Sequence, residues 1–239
     1  MRTTPIRLAA CTSLLGASLA GCTSGTESPS GSASAPASAV AAIGTASPTS
    51  EPSAGGSGIP AGALLQPADV RDAKSEPLSA GEFSYLRPLR PCGDERYPSD
   101  SSREDAVAVR YVPEAPSSGE APSVVTEFVG RHAAGGAAEQ FKEIGAALKR
   151  CPGGLGEGQR RWTILGTPNA GDQSVLVRID QKESYADEKK ETVSRYAALA
   201  RVGDVIVVVA DLGWENIGGS EKLVRKLIGK AVQRAGTIS

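Results

Sequence analysis

Apolar and polar positions change rhythm several times along this chain, and each rhythm predicts an element. Residues 105–112, DAVAVRYV, alternate apolar with other residues, the period of a half-buried strand. SVVTEFVGRHA at 123–133 repeats that alternation. The spacing then switches. In AAEQFKEIGAALKRC (137–151), Ala137, Phe141, Ile144, Leu148 and Cys151 recur by four, three, four and three, which is the stripe of a helix laid on a core. That stripe carries Cys151 on the buried side, and Pro152-Gly153-Gly154 ends the helix. RWTILGT (161–167) and QSVLVRIDQ (173–181) read as strands around a PNAGD turn. ETVSRYAALARV (191–202) and DVIVVVAD (204–211) meet at Gly203-Asp204, a two-residue hairpin signature. Residues 205–209 are apolar at both parities, which predicts a central strand covered on both faces. SEKLVRKLIGKAVQRA (220–235) closes the chain as an amphipathic helix. Ser220 is its N-cap, Glu221 sits at the positive end of its dipole, and Val224, Leu227, Ile228, Ala231 and Ala235 form its buried face. Upstream, LLQPADVRDA (64–73) predicts a short helix with Pro67 in its first turn. Strands that follow one another through hairpins predict an α+β class: one domain, a mainly antiparallel sheet packed with two long helices.

The first 58 residues obey none of these periods. Residues 1–21 form a secretory signal, with Arg2 and Arg7 ahead of a short apolar run that is too brief to stay as a membrane span. The run ends in Leu19-Ala20-Gly21-Cys22, which is similar to the lipobox of bacterial lipoproteins. That resemblance implies a diacylglyceryl thioether on Cys22 and cleavage just before it, with acylation of the new amine. The alternative is an ordinary cleaved signal with an incidental cysteine. A diacylated Cys22 supplies the two chains that stable anchoring needs, at about 0.8 kcal/mol per buried CH2. The expected location is therefore the extracytoplasmic face of the cell membrane. Residues 23–58 are rich in Ser, Thr, Ala, Gly and Pro with no aromatic residue, so 22–58 reads as the lipidated cysteine and a disordered linker. Its r.m.s. reach is on the order of 30–35 Å. The folded domain is expected over 59–239, long enough for one substantial core.

Two cysteines fall in that domain. Cys92 and Cys151 are an even pair in an exported chain, which argues for a disulfide, the alternative being two buried free thiols. LLQPADV, VVTEF with GGAAEQFKEIGAALKRC, GDQSVLVR and YAALARVGDVIVVV, taken in order, resemble the PknH-type extracellular sensor domain of actinobacterial receptor kinases and free lipoproteins. The resemblance spans most of 60–235. It implies an antiparallel sheet with a cleft and a ligand-recognition role. Kinase-linked members carry two disulfides, and this chain has domain cysteines for one.

Charge and chemistry narrow the classes further. A net charge of -1 and 4% aromatic content point away from nucleic-acid binding. The domain contains no G-x-S-x-G, S-x-x-K or H-E-x-x-H motif, so a non-enzymatic role without cofactor is expected. His132 is the only histidine, read as an exposed or satisfied strand-end residue, and no metal site is expected. Asp100, Glu104 and Asp105 read as a solvated loop before a strand. GGLGEG (153–158) faintly resembles a phosphate cradle, but no Lys-Ser/Thr follows it, so it reads as a helix stop. Lys222, Arg225, Lys226, Lys230 and Arg234 make a basic helix face, solvated or turned toward anionic headgroups. Trp214, Glu215 and Asn216, in the turn after the central strand, are the candidate ligand-binding residues; a tryptophan folded over the core's edge is the alternative. These observations predict a lipid-anchored sensor-like domain for an unidentified envelope ligand or partner. The alternative is a lipid-carrier or envelope-assembly lipoprotein enclosing an apolar cavity.

Overall fold

The computed structural model describes residues 58–113, 123–184 and 189–239. The signal segment, Cys22 and all of the linker except Gly58 lie outside the described residues. Seven strands form one sheet: β1 (Lys74–Pro77), β2 (Arg103–Val112), β3 (Val125–His132), β4 (Arg160–Gly166), β5 (Gln173–Glu183), β6 (Glu191–Val202) and β7 (Val205–Asp211). Their order is β1-β2-β3-β7-β6-β5-β4, and every neighbouring pair is antiparallel. The sheet is therefore two meanders, β1–β3 and β4–β7, zipped together where β3 meets β7. Helix α1 (Gly136–Arg150) carries the chain from β3 to the far edge strand β4. Helix α2 (Glu221–Ala235) follows β7.

The period of β7 explains why the sheet is covered twice. Val205, Val207 and Val209 join one apolar cluster with Val224, Leu227 and Ile228 of α2. Ile206, Val208 and Ala210 join a second cluster with Ala137, Ile144 and Leu148 of α1. Alternate side chains of a strand leave opposite faces, so a strand apolar at both parities must be buried on both. The expected α+β architecture, an antiparallel sheet packed with two long helices, is the one observed. Ser220 caps α2 by accepting the Leu223 N–H at 3.2 Å.

Three expectations need correction. The 64–73 segment makes only a single 3-10 turn, Pro67–Val70, because Arg71 and Asp72 both take positive φ and break the helical run. β3 is not half-buried: its partner β7 places it inside the sheet, and all but one of its residues are buried. In α1, Gln140 rather than Phe141 occupies the buried row, held by Nε2 donating to Asp100 Oδ1 at 2.9 Å. The polar β1 pairs with β2 at the sheet edge and has no apolar alternation that sequence could show.

Chain outside the helices completes both layers. Ile59, Ala63, Leu64, Leu65 and Val70 pack into the α2 cluster. There the buried Glu127 accepts from the Leu65 N–H at 2.9 Å and the Tyr111 hydroxyl at 2.7 Å. On the α1 face, Leu86, Leu89 and Tyr97 fill the second cluster. A disulfide joins Cys92 to Cys151 at the C-cap of α1, with Cα atoms 5.3 Å apart and a sequence separation of 59. Both cysteines are half-buried, so the bridge lies at the rim of the core. On the chain-entropy model a loop of this length contributes about 4 kcal/mol.

Candidate functional site

β7 ends at Asp211, and the fold is bent there by one carboxylate. Asp211 Oδ1 accepts the Gly213 N–H at 2.9 Å and the Ser123 hydroxyl, while Oδ2 accepts the Ser220 N–H at 2.7 Å. The start of α2 and the approach to β3 are thus tied to the end of the central strand. Gly213 has φ +68°, and Trp214 and Ile217 then exchange backbone hydrogen bonds at 3.0 and 2.8 Å across a tight turn. This turn holds Trp214 36% and Ile217 49% exposed, two of the three exposed large hydrophobic residues among those described.

Beside the turn lies an open groove of about 490 Å3. Phe83, Val112, Val124, Leu212 and Trp214 give it largely apolar walls, and Glu76, Arg110, Arg195 and Glu215 supply its charges. The arginines are already paired. Arg110 donates to Glu76 Oε2 at 2.8 and 3.0 Å and to Glu82 Oε1 at 2.9 Å. The hydrogen bond from Arg110 holds Glu76 below the usual carboxylate range and raises Arg110 in turn. Arg195 grips Glu183 with two bonds of 2.6 Å and donates Nε to the Leu212 carbonyl. Burial pulls Arg195 down, but Glu183 outweighs it and holds the guanidinium above its ordinary value. The groove therefore offers apolar walls beside arginines already paired with carboxylates, suited to an amphipathic ligand more than to a bare anion.

Of the predicted site residues, Trp214 and Glu215 line this groove; Asn216 is exposed but outside the lining. Sequence reasoning missed Asp211, Arg110, Arg195 and Phe83. An acid closing an otherwise apolar strand just before Leu-Gly was a signal for Asp211. The others reach the groove by sheet register, which no local pattern shows.

Other singled-out residues take different places. Asp100 is not in a solvated loop: it accepts from Arg90 at 2.8 Å, from Arg103 and from the Tyr97 N–H. Burial pushes its carboxyl up, and Arg90 and Arg103 more than reverse this, leaving it below its ordinary value. Asp105 pairs with Arg131 at 2.5 Å. The basic face of α2 is partly spent, because Lys230 and Arg234 bind Asp69 at 2.8 and 2.7 Å and Arg225 binds Glu221. Lys222 and Lys226 are exposed to solvent.

His132 is buried at the end of β3, with Nδ1 3.0 Å from Ser102 Oγ. The Ser102 hydroxyl donates to the Ser99 carbonyl at 2.7 Å, so its oxygen accepts from Nδ1–H. In this arrangement the imidazole does not take the serine proton. Its Nε2 is buried without a partner, and burial, then Arg103, lowers the histidine below its ordinary value. Among the described residues, no group of three His, Cys, Asp or Glu is placed to hold a metal ion. No described helix is long and apolar enough to cross a membrane.

The chain matches no protein-family model and no curated protein sequence.

Proposed function

We propose that this chain is a non-enzymatic, sensor-like lipoprotein of the PknH-domain type. In this reading it is anchored through Cys22 to the extracytoplasmic face of the cell membrane and captures an amphipathic envelope ligand in the Trp214 groove. The observation that carries the ligand site is the turn 213–217, which presents an exposed tryptophan over an apolar floor at the end of the central strand. Exposing a large aromatic costs burial energy, and a groove that shields it on binding recovers that energy. The paired charges of the rim offer a polar headgroup contacts without favouring a bare anion. The disulfide fits the oxidising environment outside the cytoplasm. The sensor reading is favoured over a lipid carrier because the groove is open, whereas a carrier encloses its cargo.

Native mass spectrometry of the full-length protein, extracted from its own envelope in mild detergent, tests the site. A co-purified small molecule is expected with the wild type and is lost in Trp214→Ala. Absence of any such molecule from both, or its persistence in the variant, overturns the assignment. For the anchor, Cys22→Ser is expected to leave the protein unprocessed or shed into soluble fractions; membrane-bound, matured Cys22→Ser protein would sink that part of the reading.

A further inference from the structure

A second groove, of about 590 Å3, opens beside the disulfide. One wall is the loop from Arg90 to Asp94, and the other is the glycine-rich 153–158 segment with Arg160. Tyr85 and Trp162 form its floor, with ring centroids 6.2 Å apart in an edge-to-face contact. The walls are stapled: Cys92 lies between the lining residues Pro91 and Gly93, and Cys151 precedes Gly153 by two positions. Backbone approach is built into the second wall. Gly153 has φ +68°, and a Cβ there would meet the Arg160 carbonyl at 1.9 Å, so only glycine fits.

Arg160 is the unusual residue of this groove. Its guanidinium lies 3.8 Å over the Tyr85 ring, and among the described residues it has no carboxylate partner and no hydrogen-bond acceptor. The other arginine in the lining, Arg90, is committed to Asp100 and to the Glu95 carbonyl. Stacking on Tyr85 holds the fork in place; Nε is buried, and the two terminal nitrogens are left for an oxyanion. No Lys-Ser/Thr follows the glycine-rich loop; its cation is Arg160, two positions after Gly158 at the start of β4. On the opposite wall Asp94 is exposed and unpaired among the described residues; Gln159, beside Arg160, and Ser84 add polar groups. A bare dianion filling the groove would be repelled by Asp94. A ligand with an acid group at one end and hydroxyls at the other satisfies both walls.

We infer that this groove binds an acidic sugar unit, its carboxylate or phosphate on Arg160 and its hydroxyls toward Asp94, Gln159 and Ser84, and that the Cys92–Cys151 bridge holds the walls at the required spacing. The two grooves share Phe83 in their linings but no charged residue, and the chain's two tryptophans allow each to be tested by its own indole. In full-length Trp214→Phe, Trp162 is the only remaining indole and reports on the stack beneath Arg160. Titration with D-glucuronate and with glucose 6-phosphate is expected to shift its emission saturably, and D-glucose is not. Adding Arg160→Gln is expected to weaken binding by about tenfold or more, the loss of one charge-assisted pair. Adding Cys92→Ser with Cys151→Ser weakens binding at least several-fold. Should that variant unfold by circular dichroism, Asp94→Asn in the bridged protein takes its place, with the sugar acids losing discrimination against inorganic phosphate. No emission change with either acid, an equal response to glucose, or an unchanged response in Arg160→Gln overturns the inference. None of these results bears on the Trp214 groove.

Discussion

Glu127 lies on β3 beneath α2, 1% exposed, with one carboxylate oxygen accepting from Tyr111 and Leu65 and the other, Oε1, unpartnered. Burial pushes its pKa up; the Tyr111 hydroxyl and the Leu65 N–H pull it partly back, and the result is about 7 against an ordinary 4.5. The folded protein thus holds a proton that the unfolded chain releases. Stability from this group is complete below about pH 4.5 and is lost as pH rises through about 7, on the order of 3 kcal/mol in all. Asp69 behaves oppositely. Burial pushes it up, but Lys230, the Gln66 N–H and Arg234 outweigh that and hold it at about 2, so its contribution is present above pH 3.8 and lost as pH falls toward 2. His132, lowered by burial, loses stability on acidification and opposes Glu127 below neutrality, so the total profile mixes both. The difference between wild type and Glu127→Gln isolates the carboxyl. Urea denaturation at pH 5 and pH 8 is expected to show the wild type losing stability relative to Glu127→Gln at the higher pH. A difference independent of pH would mean that Glu127 is ionised throughout.

Among the turns and helices, two glycines make opposite expectations. Gly213 has φ +68°, and a Cβ there would stand 1.9 Å from the Ile217 carbonyl oxygen. Gly213→Ala is expected to cost about 2 kcal/mol or more and to shift Trp214 emission, because the turn presenting that ring must open. Gly229 sits on the exposed side of α2, where a Cβ would meet nothing within 4 Å, so Gly229→Ala is expected to stabilise by about 0.5–1 kcal/mol. Urea midpoints of the two variants check the pair. Elements of this kind were legible wherever one residue governs local geometry: the Gly203-Asp204 hairpin, the Ser220 cap and the doubly apolar β7 follow from side-chain chemistry within a few positions. β1 and the segment from Leu78 to Ser102 were not, since their places depend on register against β2 and on burial against α1. The candidate site divides the same way. Trp214 announces itself as an aromatic in a Gly-flanked turn, whereas Arg110, Arg195 and Phe83 arrive from separate strands and loops. Arg160 is the clearest case, because its missing acceptor is a property of three-dimensional surroundings alone.

Across the folded domain, one sheet separates two apolar clusters that share strands but not side chains. Ile144 is fully buried on the α1 side and Ile228 on the α2 side. β6 and β7 feed both, since neighbouring residues on each strand point to opposite clusters. Neither cluster can be lost while the other persists, because unpairing β3 from β7 or β7 from β6 strips both faces together. The two layers should therefore behave as one cooperative unit with locally independent packing. Ile144→Val and Ile228→Val are each expected to cost about 1 kcal/mol, the removal of one buried methylene. With no shared side-chain neighbours, the double variant should cost the sum to within about 0.5 kcal/mol. It should also unfold in one transition with the denaturant slope of the wild type. A double variant that unfolds in two steps, or a slope that drops in only one single variant, would show that a helix layer can detach from the sheet. Coincidence of the circular dichroism and fluorescence transitions in a Trp214→Phe background distinguishes these outcomes, because Trp162 of the α1 cluster is then the only indole whereas circular dichroism reports both layers.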